Sequence, residues 1–265
     1  MNKGKISAGL DAGHVDTKAI IIGGHEILGY CTVPTGFDVV AAAGAALDYA
    51  LDNAGISRGE LAGIVATGIF RDMIKVPPLD VCGTVPEYVA DAKGALFLNK
   101  NSRTVIDVGG NIHKAIRYDQ DGNILDVIQN DKCADGLGIF YTTMAKAMGL
   151  SEQEMSESAL KSTRSLSIAI QCALSAESEA VDLMCQGMNI ADVADAVLKF
   201  IVERVAAMCT YMSLSKEIVV AGGLAKSEAL VKRLPGLIKQ DVSVLGLPEY
   251  AGAIGAAINY ENGGK

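Results

Sequence analysis

The sequence predicts an α/β fold built from two similar halves, and three observations lead to this prediction. Half of the 265 residues are hydrophobic, which is enough for a large core without support from disulfides or metals. A strand-turn-strand pattern occurs twice, once near the N-terminus and once after residue 100. Segments with apolar residues at helical spacing separate these strand-like runs.

Both copies of the repeat begin with an apolar run that ends at an aspartate, Asp11 in the first copy and Asp107 in the second. In each copy a glycine follows two residues later, and a lysine follows seven residues later, where a second apolar run starts. A turn and a third strand-like run complete each copy. Residues 63–68 and 218–223 extend the similarity, because both are apolar runs that end in a glycine turn.

Helical segments are predicted between the repeat elements. They cover residues 36–54, 133–148, 175–186, 190–212 and 225–234. Ser151 and Glu154 have the spacing of a capping box that opens one more helix. The small apolar segment 249–260 is expected to return to the first half. We therefore expect one subdomain of residues 1–98 with 248–265, and a second subdomain of residues 99–247.

The composition argues against nucleic acid or an acidic membrane surface as a partner. Lys and Arg number 23 and Asp and Glu number 31, so the net charge is −8, whereas such partners favour a basic surface. No tryptophan and only 5% aromatic residues leave few platforms for base stacking. The absence of a signal-peptide pattern and of an 18-residue apolar run predicts a cytoplasmic protein. Its six cysteines are then expected to be reduced, catalytic or metal-bound.

The two Asp-x-Gly turns predict a nucleotide site. Glycine lets backbone N–H groups approach phosphate oxygens, and Asp11 and Asp107 would face a phosphate-bound Mg²⁺ through water. One such turn alone would be an ordinary hairpin, but two copies with the same offsets favour a nucleotide. Gly222 and Gly223 would let adenine or ribose lie against the backbone, while Lys18 would contact phosphate or be solvated. The other candidates for nucleotide contact are Gly13, His14, Asp16, Thr17, Gly109, Gly110 and Lys226.

This pattern resembles the actin, Hsp70 and sugar-kinase superfamily of ATPases. The resemblance implies duplicated actin-like (RNase H-like) ATPase domains with a nucleotide cleft between them. The chain lacks the Gly-x4-Gly-Lys-Ser/Thr motif, so a P-loop ATPase is not supported. Residues 130–140 (NDKCADGLGIF) and 172–179 (CALSAESE) narrow the resemblance to one branch. That branch contains ATP-dependent activators of 2-hydroxyacyl-CoA dehydratases, ATPase subunits of benzoyl-CoA reductases, and reductases of double-cubane-cluster proteins.

In that branch a homodimer holds one [4Fe–4S] cluster between its subunits, and each subunit supplies two cysteines. The resemblance implies that these ligands are Cys133 and Cys172 here. Spacing alone would not predict them, because two cysteines 39 residues apart are a poor metal signal. The remaining cysteines are expected to be small buried hydrophobic residues. They are Cys31, Cys82, Cys185 and Cys209.

The resemblance further implies ATP- and Mg²⁺-dependent transfer of low-potential electrons from a ferredoxin or flavodoxin to a partner iron–sulfur enzyme. Asp11, Asp107 and Asn111 would carry ATP hydrolysis. The branch usually has glutamine in place of Asn111, and Ser or Thr within residues 14–16, so both departures bear on the hydrolysis rate. His113 is expected to contact phosphate or to be a solvated turn residue.

Three alternatives remain at this stage. The first is a small-molecule kinase of the same superfamily, which would not need Cys133 or Cys172. The second is an ATPase subunit of an aryl-CoA reductase, which would pair with a paralogue instead of a second copy of this chain. The third is a nucleotide-binding scaffold that hydrolyses nothing.

Overall fold

The computed structural model describes residues 5–170 and 172–261, apart from the side chains at positions 133, 174 and 261. The chain divides into two compact units. The first consists of Met1–Arg103, Tyr118–Leu125 and Glu249–Lys265, and the second consists of Thr104–Arg117 and Asp126–Pro248.

The first sheet has five strands in the order β3-β2-β1-β4-β5. The strands are β1 (Ile6–Ala12), β2 (Asp16–Gly23), β3 (Glu26–Pro34), β4 (Gly63–Thr67) and β5 (Val81–Thr84). The first three strands pair antiparallel, while β4 runs parallel to β1 and to β5. The helices of this unit are α1 (Val39–Ala54), α2 (Glu87–Leu98) and α8 (Ala251–Glu261).

Small residues let the helices of the first unit approach each other and the sheet at backbone distance. A Cβ atom on Gly94 of α2 would overlap the carbonyl oxygen of Ala251 in α8. A Cβ atom on Gly255 of α8 would in turn overlap the carbonyl oxygen of Ala90. Helix α8 also contacts β1 and β4. The apolar run of small residues near the C-terminus therefore forms a closely packed layer against the first sheet.

The second sheet repeats the first in the order β8-β7-β6-β9-β10. Its strands are β6 (Thr104–Val108), β7 (His113–Tyr118), β8 (Ile124–Gln129), β9 (Ile218–Ala221) and β10 (Ser243–Val244). Strand β6 pairs antiparallel with β7 and parallel with β9, as β1 does with β2 and β4. The helices of the second unit are α3 (Leu137–Ala147), α4 (Glu152–Ala159), α5 (Ala173–Cys185), α6 (Ile190–Cys209) and α7 (Glu228–Ile238).

Helix α6 is the centre of the core in the second unit. Val193, Val197, Ile201 and Val205 recur every four residues on one face, and all four side chains are fully buried. Burying one such side chain contributes about 1.5–3 kcal/mol, so this row holds α6 against its neighbours α4, α5 and α7. Within the described residues, no helix combines the length and the apolar character needed to cross a membrane.

Three predicted helices begin later than expected. Helix α1 starts at Val39, behind the cap at Asp38, instead of at residue 36. Residues 132–134 form a single 3₁₀ turn, and α3 starts only at Leu137, because Gly136 has a φ of 82° that interrupts the helix. The segment after β9 likewise forms a 3₁₀ turn before α7 begins behind the cap at Ser227. The capping box at Ser151 is confirmed, since its hydroxyl accepts the Glu154 N–H at 3.2 Å.

Candidate functional site

The two Asp-x-Gly hairpins have the same construction. Asp11 lies directly opposite Lys18 across β1 and β2, and Asp107 lies opposite Lys114 across β6 and β7. The ammonium of Lys18 is 3.9 Å from a carboxylate oxygen of Asp11, and that of Lys114 is 2.9 Å from Asp107. The offset of seven residues is therefore the spacing that places a lysine beside each aspartate. Sequence reasoning noted the offset without assigning this pairing.

Glycine is required at the second position after each aspartate. A Cβ atom on Gly13 would lie 2.8 Å from the carbonyl oxygen of Asp16, and one on Gly109 would lie 2.7 Å from that of Ile112. Real Cβ atoms do not approach backbone oxygen so closely, so any side chain would force the turn open. Both turns can thus present backbone groups to a ligand without a covering side chain.

The other candidates in the first turn differ in exposure. The hydroxyl of Thr17 is buried and lies 2.9 Å from that of Thr35, which donates to the carbonyl of Gly13 at 2.8 Å. His14 is exposed, and its ring centroid is 5.4 Å from that of Phe70. The structure therefore gives Thr17 a partner inside the protein and leaves His14 accessible. The contribution of Thr35 has no signal in the sequence motif.

Gly222 brings the end of β9 against the second hairpin. Its φ is 86°, and a Cβ atom there would overlap the carbonyl of Val108 and lie 2.6 Å from a carboxylate oxygen of Asp107. Gly68 repeats this arrangement in the first unit, with a φ of 90° and the same overlap with Ala12. The structure thus brings Asp107, Gly109 and Gly222 together in the second unit.

A cavity of about 350 Å³ opens beside Gly223 in the second unit. Its lining includes Glu152, Lys226 and Ser227, which supply an acidic, a basic and a hydroxyl group. Cavities of this size hold small ligands, with a few polar groups that orient them. Sequence reasoning identified Gly223 and Lys226 but missed Glu152, because that residue lies in a segment that reads only as a helix start.

His113 lies elsewhere than expected. Its ring is fully buried, and neither ring nitrogen has a hydrogen-bond partner among the described side chains and backbone. Burial lowers the pKa of His113 to about 4, although the carboxylates of Asp107, Asp135 and Asp131 act in the opposite direction. The imidazole is therefore neutral at pH 7. The expectation of a solvated turn histidine is wrong, because β7 places this side chain in the interior.

We expect His113 to make the free energy of unfolding depend on pH. Its pKa is about 4 in the folded state against 6.5 in an unfolded chain, so the unfolded state binds more protons between these values. The part of the free energy of unfolding that depends on His113 is then constant above pH 6.5. It falls as the pH drops toward 4, by at most about 3 kcal/mol. Denaturant unfolding at several pH values should show a flatter dependence for His113→Leu. Equal slopes for both proteins would assign the effect to other groups.

The second hairpin is hydrogen bonded to the segment that carries Cys133. The N–H of Gly136 donates to the carbonyl of Asn111 at 2.8 Å, and that of Ile139 donates to Gly110 at 3.0 Å. The side-chain oxygen of Asn130 accepts the N–H of His113 at 2.8 Å, and the N–H of Asn130 donates to the His113 carbonyl at 3.1 Å. Residues 110–113 and 130–139 therefore form one bonded piece. The Cys133 side chain itself lies outside the described atoms.

Cys172 is the N-cap residue of α5, half-buried and outside any disulfide. Its carbonyl accepts the N–H groups of Ser175 and Ala176 at 3.1 and 2.9 Å. The segment before it is held by two carboxylates. Asp192 accepts the N–H groups of Thr163 and Arg164, and Glu179 accepts those of Ala169 and Ile170.

This setting fits an anionic metal ligand, because the positive end of a helix dipole favours a thiolate. The described residues contain no group of three or more His, Cys, Asp or Glu side chains arranged around a metal position. Two cysteines per chain match half of the four thiolates that an iron–sulfur cluster needs. Among the described side chains, Cys172 therefore fits one ligand position of such a cluster, and the part of Cys133 stays a prediction.

The remaining cysteines only partly follow the expectation of buried positions. Cys209 on α6 is buried, and burial raises its pKa to about 12. Cys82 and Cys185 are exposed, so the prediction is wrong for both. Cys82 lies on the edge strand β5 and Cys185 is the last residue of α5, two positions where one side of the backbone faces solvent. Cys31 on β3 is half-buried.

One family model covers most of the chain. The model of the BadF/BadG/BcrA/BcrD ATPase family matches residues 8–259. The chain is 33% identical over 253 residues to the activator of lactoyl-CoA dehydratase from Anaerotignum propionicum, covering 94% of this chain and 95% of that protein.

Two solved structures share the fold. The activator of 2-hydroxyisocaproyl-CoA dehydratase from Clostridium difficile, with bound ADPNP, has a TM-score of 0.88 and 26% identity over 97% of this chain and 94% of that one. Component A of the (R)-2-hydroxyglutaryl-CoA dehydratase of Acidaminococcus fermentans has a TM-score of 0.90 and 27% identity over 99% and 100%. The resemblance read from the sequence and the duplicated α/β ATPase fold are confirmed.

Proposed function

The chain belongs to the BadF/BadG/BcrA/BcrD ATPase family, and from that premise we propose that it is an ATP-hydrolysing activator of a partner iron–sulfur enzyme. It passes low-potential electrons to that enzyme while ATP is converted with water to ADP and phosphate. Relatives that activate lactoyl-CoA and 2-hydroxyisocaproyl-CoA dehydratases support this reading. The likeness to an activator with bound ADPNP supports ATP as the nucleotide.

The hairpins supply the groups that act on the phosphates. Asp11 and Asp107 would each face the water shell of a phosphate-bound Mg²⁺, and the lysine opposite each one orients its carboxylate. Backbone N–H groups of the Gly13 and Gly109–Gly110 turns bind phosphate oxygens, with His14, Asp16, Thr17 and Lys18 completing the first turn. Asn111 orients the attacking water. The cavity beside Gly223, with Lys226 in its lining, takes the nucleoside.

One observation carries the proposal: the hairpin that bears Asp107 is hydrogen bonded to the segment that bears Cys133. A shift of the hairpin on phosphate release must carry residues 130–139 with it or break these bonds. Each bond contributes about 0.5–1.5 kcal/mol, so the two segments move together at lower cost than apart. Nucleotide state thereby changes the position of Cys133, which requires that ATP and ADP bind the two arrangements with different affinity.

Cys133 and Cys172 of this chain, together with the same pair of a second copy, would hold one [4Fe–4S] cluster. Bound there, the cluster supplies a one-electron carrier. Asp192 and Glu179 hold the segment before Cys172 in place, because their carboxylates accept the N–H groups of Thr163 and Ala169. In the overall exchange a reduced ferredoxin or flavodoxin loses one electron, and the iron–sulfur centre of the partner enzyme gains it.

The test is iron and acid-labile sulfide per chain on anaerobically purified full-length protein, with an EPR spectrum after reduction. We expect four iron and four sulfide per two chains, following the Cys₄ requirement. We also expect an EPR signal that changes between ADP and a non-hydrolysable ATP analogue. Folded protein that binds ATP, contains no iron and takes up no cluster on reconstitution would contradict the proposal. Small-molecule kinase substrates would then be screened.

A further inference from the structure

Arg204 on α6 is fixed beside the segment that leads into Cys172. One guanidinium nitrogen donates to the carbonyl of Ile170 at 3.0 Å, two residues before the cysteine. Another donates to the carbonyl of Phe200 at 3.0 Å, and the guanidinium carbon lies 3.2 Å from the centroid of the Phe200 ring. Three contacts thus hold a half-buried cation in one place.

The aromatic support of Arg204 reaches the other cysteine-bearing segment. The Phe200 ring packs edge-on against Phe140, with 5.4 Å between ring centroids, and both side chains are buried. Phe140 lies on α3, the first α-helix after Cys133. The stack of Phe140, Phe200 and Arg204 therefore connects α3 to the segment before α5. A buried stack of this kind keeps the guanidinium in a fixed position with respect to both segments.

Groups of opposite charge bind the two peptide groups that flank the Ile170 Cα, just before Cys172. Arg204 donates to the carbonyl of Ile170, while Glu179 accepts the N–H of Ile170 at 3.1 Å. Burial lowers the pKa of Arg204, and the charges of Glu203 and Cys172 act in the opposite direction. The guanidinium remains protonated, since its pKa stays far above neutral. Because the group is half-buried, its charge acts through a lower effective dielectric than a surface charge does.

We propose that Arg204 is a positioning residue whose fixed positive charge beside Cys172 favours the reduced state of the cluster. This inference rests on the proposed function, because it needs a cluster at Cys172. Reduction adds one electron and makes the cluster more negative, so a nearby cation stabilises the reduced form more than the oxidised form. Glu179 accepts hydrogen bonds from the same segment but carries a negative charge, so it disfavours the reduced state of the cluster.

The experiment is an EPR-monitored redox titration of the reconstituted protein and its variants. For Arg204→Gln we expect a loss of about tenfold in the equilibrium constant for reduction, which is about 59 mV to lower potential for one electron. Arg204→Lys keeps the charge and should stay near the wild type. Glu179→Gln loosens the same segment but removes a negative charge, so it should shift the potential upward. Arg233→Gln removes an arginine that pairs with Asp195 on α6 and should cause no shift.

These outcomes separate an electrostatic role from a structural one. Downward shifts in both Arg204→Gln and Glu179→Gln would overturn the inference, because loosening of the segment would then be the common cause. An unchanged potential in Arg204→Gln would also overturn it. If that variant takes up no iron, Arg204→Lys decides: a wild-type potential supports the inference, and a clearly lower one contradicts it. Wild-type protein without iron would instead refute the proposed function.

Discussion

Replacing Cys172 with serine is expected to remove the cluster from a protein that stays folded and still hydrolyses ATP. A hydroxyl does not replace a thiolate as an iron ligand, and a dimer of this variant lacks two of the four thiolates. Serine is a favourable N-cap residue, so α5 should keep its start at Ala173. The measurements are iron and sulfide per chain, the thermal unfolding midpoint, and the rate of ATP hydrolysis.

Cys185→Ser is the matched control for this prediction. Cys185 lies at the other end of the same helix and is exposed, so its replacement changes one thiol without touching the half-site. We expect that variant to keep its iron and its EPR signal. Full iron content in Cys172→Ser would remove Cys172 from the set of ligands. Equal loss of iron in both variants would point to a general sensitivity of α5.

The repeated hairpins show what the sequence predicts well. Strands β1 and β6 were recognised by apolar runs that end at Asp11 and Asp107, and both runs are strands in the structure. Their signal is local, because strand alternation, a glycine turn and a returning strand lie within about 20 residues. Glycine at Asp+2 was recognised as the turn residue, and the structure adds that the turn has no room for a Cβ atom there. Features that depend on such local steric rules can be predicted from one sequence.

Contacts between segments that are distant in the chain could not be predicted from the sequence. Arg204 meets Ile170 across 34 residues, and no pattern in either segment indicates that pairing. His113 was placed in a turn by its neighbours, yet the ladder of β6 and β7 fixes it opposite Val108 in the interior. The start of α3 was missed because Gly136 fits a helix interior as easily as an interruption, and only the φ of 82° decides. Tertiary packing determines each of these features.

Replacing Gly222 with alanine is expected to damage both stability and nucleotide binding. The residue has a φ of 86°, where a Cβ atom costs about 1–2 kcal/mol. That atom would also overlap the Val108 carbonyl, and overpacking of this kind costs about 1–3 kcal/mol more. The same atom would lie 2.6 Å from Asp107, so the carboxylate proposed to hold the water shell of Mg²⁺ must move. Denaturant unfolding and ATP binding by calorimetry measure the two effects.

Gly223→Ala is the control for the stability effect, because it adds the same methyl group one residue later. Nothing lies within 4 Å of a Cβ atom on Gly223, and its φ is outside the left-handed region. The free energy of unfolding should therefore change by less than about 0.5 kcal/mol. Equal stability of the two variants would mean that β9 can shift away from β6 at little cost. Since the added Cβ atom would meet both Val108 and Asp107, a shift that relieves the first contact would also leave the Asp107 carboxylate in place, and ATP affinity would stay at the wild-type level.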